Sequence, residues 1–496
     1  MFSWQPVVEV DLRLKTQDVR SRRKISAGGQ DMAMGRRQRY RQQPMWLATE
    51  QLPQTAGHVF YDRVNKILAE RRFDDFAEKV CAPFYAKTMG RPGLAPGIYF
   101  RMQLIGYFEG IDSERGIAWR CADSLSLREF IGMGLTGVVP DHSTVSRTRR
   151  LIDLETHNAV FSWMLAVLAE KGLVDGKTVG VDGSTLEANA AMRSIVRRDT
   201  GEGYTEFLEG LAKASGIETP TRADLARVDR KRSKKGSNEE WVHPDDPDAA
   251  ITKMKDGRTH LAHKVEHAVD MKTGAVLAVT VQAANHGDTT TLQETLMELS
   301  AQIQTLESVV DNIREDRLTE LVADKGYHSN DTLTFLRSGD VRTYISEPER
   351  GRRKWENKAE EQKAVYANRR RIRGGRGKEL LRQRGLMLER PFAHCLETGG
   401  LRRVYLRGRR NILKRVLIHY AAFNLSLILR QQIGKGTPRG FQGLLTLHFF
   451  VLMIVIHHLD AISNGPKRAF EGFVNQIAPT PFRQCSRTTL TSTTGC

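Results

Sequence analysis

At 496 residues the chain is about three times an ordinary single-domain length, so two or more folded units are expected, and hydrophobic residues at 40% suffice for their cores. Its formal charge of +18, from 76 basic side chains, makes a compact state repel itself and points to a polyanionic partner, nucleic acid first and an anionic membrane surface second. Five scattered cysteines (Cys81, Cys121, Cys395, Cys485 and Cys496), none in a C-x-x-C pair, exclude a disulfide framework and a structural zinc site, and fit a reducing cytoplasm.

Residues 1–44 are polar and rich in Arg and Gln, and read as a basic arm. Residues 45–173 form a helical region. Ile98, Met102, Ile105 and Phe108 recur at three- and four-residue steps, and GRPGLAPG breaks the segments. In PDHSTVSRTRRLID, Asp141 after Pro140 is a helix-start signal. The helix that follows carries Arg147, Arg149 and Arg150. A series of short helices ending in an Arg- and Ser-bearing one suggests a helix-turn-helix-like unit with its last helix on DNA. The same residues also suit a solvated helix face.

Near Thr178 the period becomes extended. TVGVD (178–182) is a β-branched run ending in an aspartate. HLAHKVEHAVD (260–270), a turn at Lys272–Gly274 and AVLAVTVQAA (275–284) read as a hairpin. A helix over 290–306, a strand TELVAD (319–324), a helix from Asp331 and a strand VRTYIS (341–346) follow. The expected class is α/β, a mixed sheet covered by helices, preceded by an all-helical DNA-binding domain. Two basic stretches, 187–259 within the 174–346 region and 347–384 after it, read as insertions over the DNA-facing side that build no core of their own. Residues 385–432 complete the domain that holds the sheet. Within them Asn411 to Gln431 is an amphipathic helix, with Lys414 and Arg415 off its apolar stripe. The tail, 433–496, contains an apolar run, Leu444 to Ile456. It is shorter than the roughly 20 residues of a membrane helix and reads as a buried or oligomer-facing helix.

Phosphodiester cleavage needs an activated nucleophile and a stabilised leaving oxygen. Two divalent ions about 3.5–4 Å apart supply both. Clustered carboxylates at element ends would hold them. Asp182 closes TVGVD and Asp324 closes TELVAD. Glu389, in LMLERPFAH, is the best third member. Pro391 is tolerated in a helix's first turn, which puts Glu389 at a helix start. Asp288 and, less well, Asp270 are rivals for the second position. His263 and His267 share one strand face and His260 lies on the other, so these three do not form a zinc site. Lys253, Lys255 and Arg258, in KMKDGRTH, suit phosphate contacts, and equally a solvated loop. Trp241 and Trp355 are more naturally packed than stacked on a base.

Long strings make the sequence familiar: YFRMQLIGYFEGIDSERGIAWRCADSLSLREF (99–130), PDHSTVSRTRRLID (140–153), GVDGSTLEANAAMRSIVRRDTGE (180–202), DKGYHS (324–329) and ERPFAHCLETGGLRRVYLRGRRNILKR (389–415). Over residues 45–432 the chain resembles bacterial insertion-sequence DDE transposases with an RNase H-like core and a helical amino-terminal domain. The resemblance implies Asp182, Asp324 and Glu389 as catalytic metal ligands, two Mg²⁺ or Mn²⁺ ions, and double-stranded DNA (terminal inverted repeats and target) as substrate. It also implies a homodimer in a synaptic complex, a bacterial cytoplasmic, nucleoid-associated setting and no membrane partner. Lys325 and Tyr327, beside Asp324 in the D-x-G-Y motif, join the expected DNA contacts. The family pattern has an arginine four residues before the glutamate and a basic residue about seven after. Gly385 and Leu396 stand there, with Arg384 one step early.

Overall fold

The computed structural model describes residues 56–440, apart from 87–92, 233–235, 255–256, 311–316, 350 and 352. The basic arm, Lys255, the apolar run at 444–456 and most of the tail lie outside the described residues.

Among the described residues seven α-helices come first: α1 (Ala56–Glu70), α2 (Phe73–Cys81), α3 (Pro96–Glu109), α4 (Glu114–Asp123), α5 (Leu125–Phe130), α6 (His142–Leu151) and α7 (Leu154–Glu170). Side-chain caps set several of their starts. Ser113, Ser124, Asp141 and Asp153 each accept a backbone N–H of the first turn, as expected for Asp141, whose carboxylate takes the Thr144 N–H at 2.7 Å. That bond, with Ser143, holds the Asp141 carboxyl down to about 2.

A sheet follows, built from β1 (Thr178–Glu187), β4 (Ala250–Lys253), β5 (Thr259–Asp270), β6 (Val276–Ala283), β7 (Glu320–Ala323) and β8 (Arg342–Ile345). β5 pairs antiparallel with β1, β4 and β6. β7 lies parallel to β1 and to β8. This is the mixed sheet expected of an RNase H-like core. Between β1 and β4 sit β2 (Val196–Arg197), α8 (Tyr204–Ala214), α9 (Arg222–Lys231) and β3 (Trp241–Val242). The remaining helices are α10 (Asp288–Val309), α11 (Asn330–Ser338), α12 (Ala359–Arg373), α13 (Gly375–Phe392) and α14 (Arg409–Ile433).

Alternation along β5 assigns the layers. Glu266 accepts from Thr295 of α10, whereas the neighbouring His267 stacks on Phe392 of α13 and meets Tyr420 of α14. Thus α10 covers one face, and α13 and α14 the other. With both faces covered, residues 178–181 of β1 are all buried, as a near-continuous apolar strand requires.

Three expectations are corrected. First, α14 is not amphipathic: residues 414–429 are buried throughout, Lys414 and Arg415 included. Hydrogen bonds offset the cost of burying these cations. Lys414 donates to the carbonyls of Arg149 and Ile152, and Arg415 to Gln103 Oε1 and the Ile111 carbonyl. By length and hydropathy this region could cross a membrane, but 94% of its apolar window is buried inside the protein. One apolar core runs from Phe60 to Leu429, so the helical region and the sheet share it through α14.

Second, the two basic stretches are not coreless insertions. Residues 347–384 supply α12 and the first half of α13, which pack on β7 and β8. Residues 188–253 enclose a small second core of Ala188, Ile195, Trp241, Ala249 and Ile251, joined by Leu261 of β5. Third, Glu389 is not at a helix start. α13 begins at Gly375, and Pro391 lies inside its last turn. Proline there forfeits one backbone bond, and the chain widens at once into a π turn, Ala393–Thr398, that accommodates the break.

Candidate active site

The register of β1 on β7 sets two carboxylates side by side. Val181 pairs with Ala323, so Asp182 and Asp324 are the next residues along adjacent parallel strands. Asp182 accepts the Gly183 N–H at 2.9 Å, and Arg384 Nη1 stands 3.4 Å from its other oxygen. Burial pushes the Asp182 carboxyl up to about 6. The charges of Asp324 and Asp288 push the same way, and Arg384 and the Gly183 N–H oppose them. Asp324 caps the short turn Lys325–Tyr327 by accepting the Gly326 N–H at 2.8 Å.

The helix carrying Glu389 crosses the Asp182 face. Gly180 and Asp182 point the same way along β1. A Cβ at Gly180 would stand only 2.5 Å from Leu388 Cδ1, so the glycine permits the close passage of α13. Glu389, next to Leu388, is exposed on that helix. Arg384, one residue off the expected family position, is the α13 side chain that reaches Asp182. Leu396 is buried in the π turn.

Asp182 and Asp324 are hard oxygen donors partly shielded from water, which suits a divalent cation. Among the described residues no group of three His, Cys, Asp or Glu converges tightly enough to hold a metal ion, so Glu389 does not close the set in this conformation.

The rivals have other partners. Asp270 is buried in the hairpin turn and accepts the N–H groups of Asp175, Gly176, Lys272 and Thr273. Asp288 opens α10 and takes Lys264 Nζ at 2.6 Å. His263 and His267 are structural. His263 and Asp246 form a fully buried pair 3.1 Å apart, and His267 is held between Phe392 and Tyr420.

Two expected DNA contacts are withdrawn into the protein. Tyr327 is fully buried and donates to Glu266 at 2.8 Å. Arg149 is buried, 2.8 Å from Glu114 and 2.9 Å from Asn411, fastening α6 to α4 and α14. Arg147 and Arg150, on the outer side of α6, are exposed, as are Lys325, Lys253 and Arg258, the last two flanking the β4–β5 tip. Lys264 and Glu266 were missed by the sequence reading. Their signal was present, as two opposite charges at alternate positions and so on one face of the strand.

Residues 48–151 match the family model for a transposase domain (DUF772), and residues 172–425 match that for a transposase DDE domain. No curated protein and no solved structure matches the chain. The second match covers more than half of the chain and contains the paired aspartates and the helix that crosses them: this protein belongs to the DDE transposases, enzymes that cleave and transfer DNA strands.

Proposed function

We propose that this transposase binds the terminal inverted repeats of an insertion sequence, cuts at the element ends and joins them to target DNA, with Asp182, Asp324 and Glu389 holding Mg²⁺ or Mn²⁺. The observation that carries the reading is the placement of Asp182 and Asp324 at matching positions on paired parallel strands, under a helix that bears Glu389. Two bound ions supply activation of the attacking oxygen and neutralisation of the departing one.

The chain's own residues do the rest. The Gly183 and Gly326 N–H groups fix the rotation of the two aspartates. Arg384 balances Asp182 while no cation is bound, and is within reach of a phosphate once one is. Glu389 completes the ligand set by a shift of α13 or of its own side chain when DNA arrives. Exposed Arg147, Arg150, Lys253, Arg258 and Lys325 grip phosphates, with Lys255 beside them in sequence, and these contacts set affinity more than sequence choice. Simultaneous processing of two ends requires a homodimer in a synaptic complex, working at the nucleoid in the bacterial cytoplasm.

The test is cleavage and joining of a labelled element-end duplex with Mg²⁺, comparing wild type with Asp182→Asn and Glu389→Gln, with duplex binding measured at one fixed salt concentration. Both variants are expected to bind like wild type and to lose cutting to background. Wild type that binds ends and never cuts with either metal would reduce the chain to a DNA-binding relic. Cutting that survives Glu389→Gln would remove Glu389 from the ligand set.

A further inference from the structure

Beneath the D-x-G-Y turn, on the α10 face of the sheet, Lys264 and Glu266 are buried charges, joined by the partly exposed Asp288, that the proposed chemistry does not use. Lys264 of β5 has 7% of its side chain exposed. Its Nζ donates to Asp288 Oδ1 at 2.6 Å and to Thr291 Oγ1 at 2.7 Å, and lies 3.6 Å from Glu266 Oε1. Glu266, with no exposure, accepts from Thr291 at 2.7 Å, Thr295 at 2.5 Å and the Tyr327 hydroxyl at 2.8 Å.

Two of these groups grip the turn that carries Asp324. Tyr327, at its end, is pinned by Glu266. In its middle, a Cβ at Gly326 would collide with Asp288 Oδ2 and stand 3.0 Å from Asp324 Oδ1. The Asp288 carboxylate thus lies against the peptide whose N–H orients Asp324, and a side chain at Gly326 would have to displace it. Lys264 is buried while Asp288 is partly exposed, and burying a cation to reach a carboxylate is a poor device for stability alone, since an apolar side chain of similar volume would pack a strand on a helix at least as well. Fixing the direction of one carboxylate is a task that such a pair performs and an apolar contact does not.

We infer that Lys264 and Asp288 are positioning residues: the pair, braced by Thr291 and Glu266, clamps the turn 324–327 and so aims Asp324 toward Asp182. Asp288, the sequence rival of Asp324, is on this reading its support. The inference rests on Asp324 being a metal ligand, and it is tested on the full chain by measurements that separate the two ideas.

Amide hydrogen exchange across 324–327 is followed in wild type, Lys264→Met, Asp288→Asn and the double variant. Mn²⁺ affinity is read in parallel by electron paramagnetic resonance. Each single variant is expected to speed exchange in the turn at least tenfold while β6 and α14 keep their protection. Each is also expected to weaken Mn²⁺ binding several-fold, with the double variant no worse than the worse single. Unchanged exchange in the turn overturns the inference. So do Mn²⁺ affinities that move in opposite directions in the two singles, because that is the pattern of simple charge balance. Should Lys264→Met fail to fold, Asp288→Asn decides alone, since it keeps the side-chain volume at a partly exposed position. Wild type whose Mn²⁺ binding ignores Asp182→Asn would defeat the metal assignment and leave the exchange result to judge the clamp.

Discussion

Residues 187–259 and 347–384 read alike as polar, basic and Gly-containing stretches, and they fold in opposite ways. The first gathers its apolar side chains into a second, smaller core. Its floor is Trp241, 1% exposed, with Tyr204 and Phe207 edge-on to it, and the guanidinium of Arg232 lies 4.8 Å from the Phe207 ring centre. The second is absorbed by the main core. Val365 is fully buried on α12, Leu380 nearly so on α13, and Asn368 brackets the backbone of Ile345, accepting its N–H and donating to its carbonyl. Asn368 thereby satisfies backbone groups of β8 that would otherwise need another strand. Composition does not separate these outcomes. What does is whether the positions to be buried recur at three- and four-residue steps within a helix, as Ala364, Val365 and Asn368 do on α12 and Gly377 and Leu380 on α13, or are spread singly over several elements that must first be brought together.

The sharpest way to break this contrast is Val365→Asp. A carboxylate in the shared core should cost more than about 4 kcal/mol and lower the whole unfolding transition in a denaturant titration. Trp241→Ala should cost about 3–5 kcal/mol but locally. Hydrogen exchange should rise across 188–253 while α12 and α13 stay protected. A uniform rise would mean that the smaller core does not open separately from the main one.

A smaller effect tests how the absorbed stretch reaches the site, through Arg384. The Asp182 carboxyl, pushed up to about 6, binds its proton more tightly in the folded chain than in the unfolded one. Its contribution to stability is therefore whole below pH ~4 and is lost as pH rises through 6. Asp182→Asn, which cannot ionise, should match wild type near pH 4 and exceed it by up to about 3 kcal/mol at pH 8 in urea titrations. Equal stability at both pH values would show that Arg384 fully compensates the buried charge.

The legible part of the fold was whatever obeyed a local period. The strand at 178, the 260–284 hairpin, the helix capped by Asp141 and the strand before Asp324 stand where spacing put them, with ends shifted by a few residues. Illegible were the features decided by distant partners. Lys414 and Arg415 looked solvated because the carbonyls and Gln103 that receive them lie more than 250 positions earlier. Tyr327 and Arg149 looked like DNA contacts because Glu266 and Glu114, which bury them, are remote in sequence. Pro391 looked like a helix start because nothing local announces the π turn that follows it. At the site the paired aspartates were readable, whereas the neighbours that hold them, Lys264, Glu266 and Arg384, depend on strand register and helix crossing.

The shared helix α14 also sets a schedule for folding. Arg415 meets Gln103 across 312 positions of chain. At synthesis rates of roughly 5–20 residues per second, α3 waits about 15–60 s before its partner is made. During that interval the apolar sides of the early helices have no cover, and the sheet lacks the helix that seals β6. The nascent chain thus has a long period of vulnerability to aggregation and to proteases, ended by one late element. A chain interrupted before residue 409 should leave neither the helical region nor the sheet with a closed core, so partial products of this gene are expected to be degraded rather than to persist as competing DNA-binding fragments.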